Sequence, residues 1–417
     1  MLEWLKKKSN SLTTVTLDQL ADIAGFVRYG TQSGVTINPN TAVQVASVLC
    51  GVKVLSEGIA QMPVRVLSED YDGDNVRRTI ARDHWAHKLL AKQPNDFQTS
   101  FEFREYVITA ALLDRGFLGI KNTLSNGKVT EILPLPMGTW SIERKTASWE
   151  NYFRVSYANG TTGHFLPSQV VYLRGPSLDG WRALPGLGAA RQAIGLSMAL
   201  EKQQARLMGN GGKPSGVLSF AETLKPEQRD NLRKLWQERF GPNGEGGVAI
   251  LDGAAKFESM TMTSVDAQHL ETRQFQIEEV ARVLRVHPIM LMHANATTTF
   301  ASAEQHFRNH VVHSLGPWMR RFEEVFNRDI LGNRADMRVD LDERALLRGD
   351  FKDQAEYYTK ALGAGGQPGW MTPNEIRAER DMNPVDAEWA NEVPRGAMNG
   401  DNADGNQGDT ATDQSGQ

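Results

Sequence analysis

The stretch that decides the fold runs from Arg285 to His306 and reads RVHPIMLMHANATTTFASAEQH. A long helical pattern stops at His287-Pro288, because proline lacks a backbone N–H and disfavours helix in the residue before it. An apolar, Met-rich turn follows, and it gives way to alanine, asparagine and threonine before a second helical pattern begins at Ala301. The sequence therefore predicts two helices joined by a small, uncharged loop that is suited neither to core packing nor to catalysis.

Long helical patterns lie on both sides of this loop. The preceding helix is predicted over Ser264–Val286, with acidic Asp266 near its start and basic Arg282 near its end, the order that the helix dipole favours. The following helix is predicted from Ala301 to Leu331, where apolar residues recur at spacings of three and four. Pro317 falls inside this second helix and should bend it.

A further long helix is predicted earlier in the chain, over Pro185–Gly209, where apolar residues form one stripe. Between it and Ser264 lies a compact insert that starts with the strand GVLSF. A helix follows whose first residue is Pro226, and two more strands, GVAIL and AKFESM, complete the insert. The two long helices are thus expected to carry a small α/β unit at their ends.

The residues before Pro185 alternate between helical and strand patterns. A helix from Thr41, the strand MPVRVL and a helix beginning near Ser100 come first, followed by a hairpin around Asn126-Gly127 and the strands YFRVSYANG and FLPSQVVYLRG. Two shorter helices are predicted after Leu331. The whole is α+β and mainly helical, with a loose arm over residues 1–40 and a disordered acidic tail over 396–417.

Composition limits the class of protein. The 417 residues can form two or three domains, and a formal net charge of −4 argues against the overall basic surface typical of duplex-binding proteins. The single cysteine, Cys50, excludes an intramolecular disulfide framework and fits a reducing compartment. Neither a secretion signal nor a stretch of about 20 apolar residues is evident, so a soluble intracellular protein is expected.

Two motifs resemble functional sites, one a phosphate-binding loop and the other a histidine metal site, but neither matches the full pattern of its class. The run Gly209–Lys213 is too short for a phosphate-binding loop, Pro214 follows its lysine, and it ends a helix where such a loop opens one. His306, His310 and His313 share one helical face, but Phe307 stands where a metalloprotease has glutamate. We therefore expect no enzymatic activity, no cofactor and no metal.

The order of elements between about Thr41 and Pro384 resembles the portal proteins of tailed double-stranded DNA bacteriophages, of the siphophage type. The segments that carry the resemblance are PNDFQTSFEFREYV, NGKVTEILPLP, RGPSLDGWRALPGLGAARQAIGLSMALEK, NGGKPSGVLSF, the run from Trp236 to Gly241, VAILDGAAKFESM, SVDAQHLETRQFQIEEVARVLRVHP, AEQ at 303–305 and NEIR at 374–377. Two local departures are Gly116-Phe117, where relatives usually have Gly-Asn, and Tyr172, where they often have histidine.

The resemblance implies a portal fold with named parts. These are a β-rich wing (41–184), a two-helix stem (185–212 and 263–288), a small α/β clip (213–262), a tunnel loop (289–300), a long bent wing helix (301–339) and a helical crown (340–395). It also implies a ring of roughly twelve subunits at one capsid vertex. The ring would be in the virion and, during assembly, in the host cytoplasm.

The implied partners are further copies of the chain, double-stranded DNA passing without sequence recognition, the terminase large subunit, a head-to-tail adaptor, and the major capsid protein or scaffold. No membrane partner is implied. The clip would meet terminase or adaptor through the charged face of its helix, formed by Arg229, Arg233, Lys234, Glu238 and Arg239. Another connector ring protein or, less favoured, an ATP-driven translocase are the alternatives.

The segment Arg285–His306 would contain this tunnel loop. Its channel residues would be His293, Asn295, Thr297, Thr298 and Thr299. A constriction that DNA must pass should be small, uncharged and deformable, because each lysine would pair with phosphate and add salt-sensitive affinity.

Overall fold

The computed structural model describes most of the chain, as two compact units that divide between Glu343 and Arg344. The described residues are 29–73, 75–145, 148–184, 186–209, 216–219, 225–227, 230–231, 234, 256–259, 265–293, 300–346, 351–363, 368–380 and 382–394.

The described chain begins with a small antiparallel hairpin, β1 (Tyr29–Gly30) and β2 (Thr36–Ile37), followed by the short helix α1 (Pro39–Ala42). The backbone N–H of Gln32 donates to Gln192 Oε1 in the first long helix. Asn38 and Thr41 form a capping box at the start of α1. The expectation of a loose arm over residues 1–40 is therefore wrong for its last part, because side-chain contacts and a cap hold the segment in place.

Two helices, α2 (Ala46–Ala60) and α4 (Ser100–Leu113), form the centre of the first unit, and the short α3 (Trp85–Ala91) precedes α4. Arg104 joins the two central helices. Its side chain is 7% exposed, and its Nε and Nη2 donate to the carbonyl oxygen of Ala60 at the end of α2, at 3.2 and 2.6 Å. Burial lowers the pKa of Arg104 to about 10, and these hydrogen bonds compensate a charge inside the core.

The described residues also form three antiparallel sheets of three strands each. Their orders are β13-β3-β4, β10-β5-β6 and β7-β8-β9, formed by β3 (Val64–Asp72), β4 (Asn75–Ile80), β5 (Phe117–Thr123), β6 (Val129–Pro134), β7 (Trp140–Arg144), β8 (Asn151–Ser156), β9 (Thr162–Phe165), β10 (Val170–Leu173) and β13 (Met337–Leu341). The predicted hairpin at Asn126-Gly127 is present, and Gly127 adopts the left-handed φ of +81° that its turn requires.

Four of these strands were not predicted: β4, β7, β9 and β13. Strand β13 pairs with β3 so that Val339 lies opposite Val66, although 273 positions separate them. The predicted boundary between the long helix region and the crown, at 339/340, cuts this strand, which belongs to the first unit. A five-residue segment carries too little local pattern to reveal such a distant partner.

The first long helix, α5, spans Gly186–Gly209, and α6 spans Val265–Leu284. The chain between them includes a two-stranded antiparallel ribbon of β11 (Gly216–Ser219) and β12 (Lys256–Ser259). The helices pack along each other, where Arg273 Nη1 donates to Gln204 Oε1 at 2.9 Å. Both predicted helices are confirmed, and so are two of the three strands predicted between them; GVAIL lies outside the described residues.

The helix after the loop is continuous from Phe300 to Leu331 but not uniform. It comprises α7 (Phe300–Asn309), a first π segment (His310–Leu315), α8 (Gly316–Phe326) and a second π segment (Asn327–Leu331). The first π segment directly precedes Pro317. Its wider turn accommodates a residue that has no N–H and whose ring would collide with a carbonyl one turn earlier.

The second unit contains α9 (Phe351–Ala361) and α10 (Pro373–Glu379). Thr372 caps α10 through a capping box with Glu375, and the side chain of Asn374 exchanges hydrogen bonds with the backbone of Val385, 2.9 Å as donor and 2.8 Å as acceptor. Within the described ranges, none of the helices in either unit has the length and apolar character needed to cross a membrane.

Candidate functional site

The candidate site is the base of the predicted tunnel loop, formed by the described residues on either side of positions 294–299. His293 is described and partly exposed; Asn295, Thr297, Thr298 and Thr299 lie outside the described residues. Of the predicted clip residues, Lys234 is helical and exposed, and the others (Arg229, Arg233, Glu238 and Arg239) also lie outside the described residues. The described geometry of the site is therefore that of the residues just before position 294 and just after position 299.

The chain enters the loop through two left-handed residues. Arg285 follows the last residue of α6 at φ +57°, and the N–H of Val286 donates to the carbonyl oxygen of Ala281 at 2.9 Å, which closes the helix end. His287 then caps a 3₁₀ turn over Pro288–Leu291. Met292, at φ +57° and 90% exposed, ends this turn and directs the chain into the loop.

Helix α2 packs against the 3₁₀ turn over Pro288–Leu291. Leu291 is buried, and its Cδ2 would lie 3.3 Å from a Cβ on Gly51. Leu284 packs even closer to the same glycine, so a side chain at position 51 would require the end of Leu284 to shift. The thiol of Cys50 donates to the carbonyl oxygen of Met290 at 3.7 Å. The entrance of the loop is thus fixed by a glycine and a cysteine from a distant helix.

The returning helix is tied to the entrance. Ser314, in the first π segment, donates from its hydroxyl to the carbonyl oxygen of Arg285 at 2.6 Å. One residue later, Leu315 fills the space over Gly58, where a Cβ would meet its Cδ2 at 2.9 Å. Both ends of the loop therefore rest on α2, and the π segment positions the hydroxyl that links them.

Two histidines face each other across the base. The rings of His287 and His306 lie 4.0 Å apart between centroids, at an interplanar angle of 34°. Burial and the neighbouring His306 lower the pKa of His287, which favours its neutral form. This stack connects the cap of the 3₁₀ turn to the helix that leaves the loop.

The three histidines at 306, 310 and 313 do not gather. His310 is 6% exposed with no hydrogen-bond partner for its Nδ1 among the described residues, whereas His313 is exposed. The π segment that starts at His310 changes the angular spacing, so positions i, i+4 and i+7 no longer share a face. Among the residues that the structure describes, no group of three histidine, cysteine or carboxylate side chains could hold a metal ion.

Three arginines near the start of the loop, Arg174, Arg285 and Arg321, form a basic group. Trp318 packs against Gly175, and the guanidinium of Arg321 lies 5.0 Å from the centre of the Trp318 ring. Burial, Arg174 and Arg285 together lower the pKa of Arg321, which places three arginines within electrostatic range of one another. Sequence reasoning missed this group, because the three residues come from separate elements.

The other candidate motif, the Gly209–Lys213 run, begins where helix α5 ends, as predicted. Gly209 is the last residue of α5, so a helix C-terminus, with its outward carbonyl groups, faces the start of the Gly209–Lys213 run. Carbonyl groups repel phosphate, and Lys213 lies outside the described residues.

Sequence comparison matches the chain to one family. The family model described as phage portal protein matches residues 46–381. The probable portal protein of Streptomyces phage phiC31 is 29% identical over 371 residues, which cover 85% of this chain and 78% of the relative. The portal protein of Enterobacteria phage HK97 is 25% identical over 377 residues, covering 89% and 86%.

Solved structures share the fold. A portal protein of the HK97 family from Corynebacterium diphtheriae superposes with a TM-score of 0.56 at 20% identity, over 73% of this chain and 95% of that one. A chain from the neck of a native gene transfer agent particle, computed with C12 symmetry, gives 0.54 at 18% identity, over 89% and 99%. At these identities the likeness shows the fold alone, and it agrees with the predicted class, α+β and mainly helical.

Proposed function

The chain belongs to the phage portal protein family, and from this premise we propose that it forms a ring at one capsid vertex around a channel through which DNA is packaged and ejected. The observation that carries the proposal is the family match over residues 46–381, which includes α2, both long helices and the base of the loop. At 46.3 kDa per chain, a ring of about twelve subunits has a mass of about 560 kDa.

In this proposal the parts of the chain have separate roles. Residues 41–184 form the wing, α5 and α6 the stem, residues 213–262 the clip, and residues from about 340 the crown. The 289–300 loop lines the channel with His293, Asn295, Thr297, Thr298 and Thr299. Support comes from the anchoring of both loop ends on α2, because a constriction must be held at its base while its tip yields.

The proposal also assigns partners. The charged helix face with Arg229, Arg233, Lys234, Glu238 and Arg239 would dock the terminase large subunit and the head-to-tail adaptor, with electrostatic attraction raising the association rate. The wing would meet the major capsid protein or scaffold. The ring would belong to the virion, and it would assemble in the host cytoplasm.

We further propose that the ring hydrolyses no nucleotide and that a separate motor moves the DNA. The end of α5 at Gly209 supports this, since phosphate-binding loops open a helix. The substitution Lys213→Ala should leave DNA packaging unchanged. A purified ring with steady ATPase activity that disappears in this variant would overturn the assignment.

The ring itself is tested by light scattering with mass determination and by electron microscopy of the purified protein. We expect closed rings near 560 kDa with a central channel at moderate salt. Monomers alone, at high protein concentration and over a range of salt, would contradict the proposed function.

A further inference from the structure

A cavity of about 330 Å³ opens between α2, α5, α6 and the base of the loop. Its lining is mainly apolar, with Leu200 from α5, Ile277 from α6 and Leu291 from the 3₁₀ turn, and Cys50 contributes from α2. The cavity is large enough for one aromatic side chain. It lies on the first unit alone, so one copy of the chain presents it complete.

One polar atom in this cavity lacks a partner. Gln276 lines the cavity and is 7% exposed, and its Oε1 accepts no hydrogen bond from the described residues. A buried acceptor without a donor is unfavourable, and native structures rarely leave one so. This oxygen therefore needs a hydrogen-bond donor, from water or from a polar group at the rim of the cavity.

The opposite face of the same helix carries a protruding aromatic side chain. Arg273, Gln276 and Ile277 of α6 line the cavity. At about 100° per residue, Phe275 lies about 150° around the helix axis from the mean direction of these three residues. Phe275 is 52% exposed, and the guanidinium of Arg282 lies 5.8 Å from its ring centre. Helix α6 thus presents a hollow on one side and an apolar projection on the other.

The charges beside the two features are complementary. Glu271 lies one turn before Phe275 on the projecting face and is exposed. Lys53 lies on α2 one turn after Cys50, which lines the cavity, and is exposed as well. Within the part of the chain that the structure describes, neither Glu271 nor Lys53 has an oppositely charged side chain within ion-pair distance.

We infer that Phe275 of one copy inserts into the cavity lined by Cys50 and Gln276 of the next copy, with Glu271 approaching Lys53. This inference rests on the proposed ring. A ring with head-to-tail contacts needs two different and complementary surfaces on every subunit, because the same patch cannot meet itself. Opposite faces of one helix provide such surfaces, and an aromatic residue in a desolvated pocket is the usual energetic centre of an interface.

Cys50 makes a direct test possible, since it is the only cysteine of the chain. In the variant Phe275→Cys, a short bis-maleimide should join position 275 of one copy to Cys50 of the next. Denaturing electrophoresis should then show a ladder of dimers, trimers and larger species up to the full ring. A link within one chain is not expected, because the two positions lie on opposite sides of α6.

Two controls accompany this variant. Phe275→Cys combined with Cys50→Ser should give no ladder beyond traces. Glu324→Cys, an exposed position on α8, should give no ladder either while Cys50 is present. Intact rings of Phe275→Cys, seen by electron microscopy, that yield no more linked species than Glu324→Cys would overturn the inference.

A second measurement needs no new thiol. Phe275→Ala should raise the protein concentration for half-assembly at least tenfold while the monomer keeps its circular dichroism spectrum, and Phe275→Leu should have a smaller effect. The exposed control Leu178→Ala should leave this concentration unchanged. If the parent forms no ring, the proposed function fails. If the parent forms rings and Phe275→Ala assembles equally well, the inference alone is wrong.

Discussion

Ser314 and Arg285 are joined by a hydrogen bond of 2.6 Å from the serine hydroxyl to the arginine carbonyl oxygen. The carbonyl belongs to the left-handed residue that ends α6, and the hydroxyl belongs to the π segment of the helix beyond the loop. This contact, together with the His287–His306 stack, ties the two sides of the proposed channel loop to each other. The Ser314 side of this contact is buried, at 7% exposed, and the hydrogen bond as a whole is partly buried.

The first prediction tests this contact. Ser314→Ala removes the donor and leaves the Arg285 carbonyl oxygen without it, so we expect a loss of about 1–2 kcal/mol in the free energy of unfolding. Thermal unfolding of the variant should show a lower midpoint than the parent. Ser125→Ala, at an exposed hairpin turn, is the control and should change nothing measurable. Equal midpoints for Ser314→Ala and the parent would mean that the contact contributes nothing.

The second prediction concerns Gly51 beneath the loop. A methyl group at this position would collide with Leu284 and crowd Leu291, so Gly51→Ala should destabilise the protein by about 1–3 kcal/mol despite the better helix propensity of alanine. Gly316→Ala is the matched control, because its nearest contact is an ordinary 3.5 Å to the Val311 carbonyl oxygen. The measurement is the thermal midpoint of each variant. A stabilised Gly51→Ala would show that Leu284 can move aside.

The third prediction compares two glycines with positive φ. Gly116 has φ +119°, and a Cβ there would stand 2.6 Å from the Leu173 carbonyl oxygen; Gly127 has φ +81° with nothing within 4 Å. Gly116→Ala should therefore cost about 2 kcal/mol or more, and Gly127→Ala about 1 kcal/mol. Urea unfolding of both variants checks the order. If Gly127→Ala were the more destabilising variant, the close approach of the Leu173 backbone would not explain why position 116 is glycine.

The fourth prediction is a pH dependence at His310. Burial lowers the pKa of His310 below its ordinary value of about 6.5, so the unfolded chain binds its proton at a higher pH than the folded chain does. Stability should then fall as the pH drops below about 6.5. His310→Leu removes this titration, and its stability relative to the parent should rise as the pH falls from 7 to 5.

Exposed His313 is the control for that measurement. His313→Leu, measured over the same pH range, shows how the loss of a histidine from this helix acts by itself. Chemical unfolding at several pH values gives both comparisons. A difference between His310→Leu and the parent that does not change with pH would show that burial does not shift the pKa of His310.

The fifth prediction concerns the channel loop. Thr298→Lys would place about twelve ammonium groups around one constriction, each able to pair with phosphate, so DNA packaged per procapsid should drop sharply. Thr298→Ser keeps size and polarity and should package like the parent. Electron microscopy must show rings for both variants. Normal packaging by Thr298→Lys would place the loop outside the channel.

The sequence by itself determined the parts of the protein that depend on neighbouring residues. Helical periodicity and a dipole-matched charge order identify α6, His287-Pro288 marks its end, and Asn126-Gly127 identifies the β5–β6 hairpin. Family motifs spread from Thr41 to Pro384 indicated the portal family, and the match over residues 46–381 confirms it. These features were predictable because each depends on contacts a few residues apart along the chain.

Only the tertiary structure decided how the distant parts meet. The pairing of β13 with β3, the tie between Ser314 and Arg285, and the packing of Leu284 on Gly51 all join residues that lie far apart in sequence. The histidines at 306, 310 and 313 show the same limit, since an ideal helix places them on one face and the π segment does not. The cavity at Gln276 belongs to this class too, because its walls come from four elements whose approach is set by packing of side chains and not by local pattern.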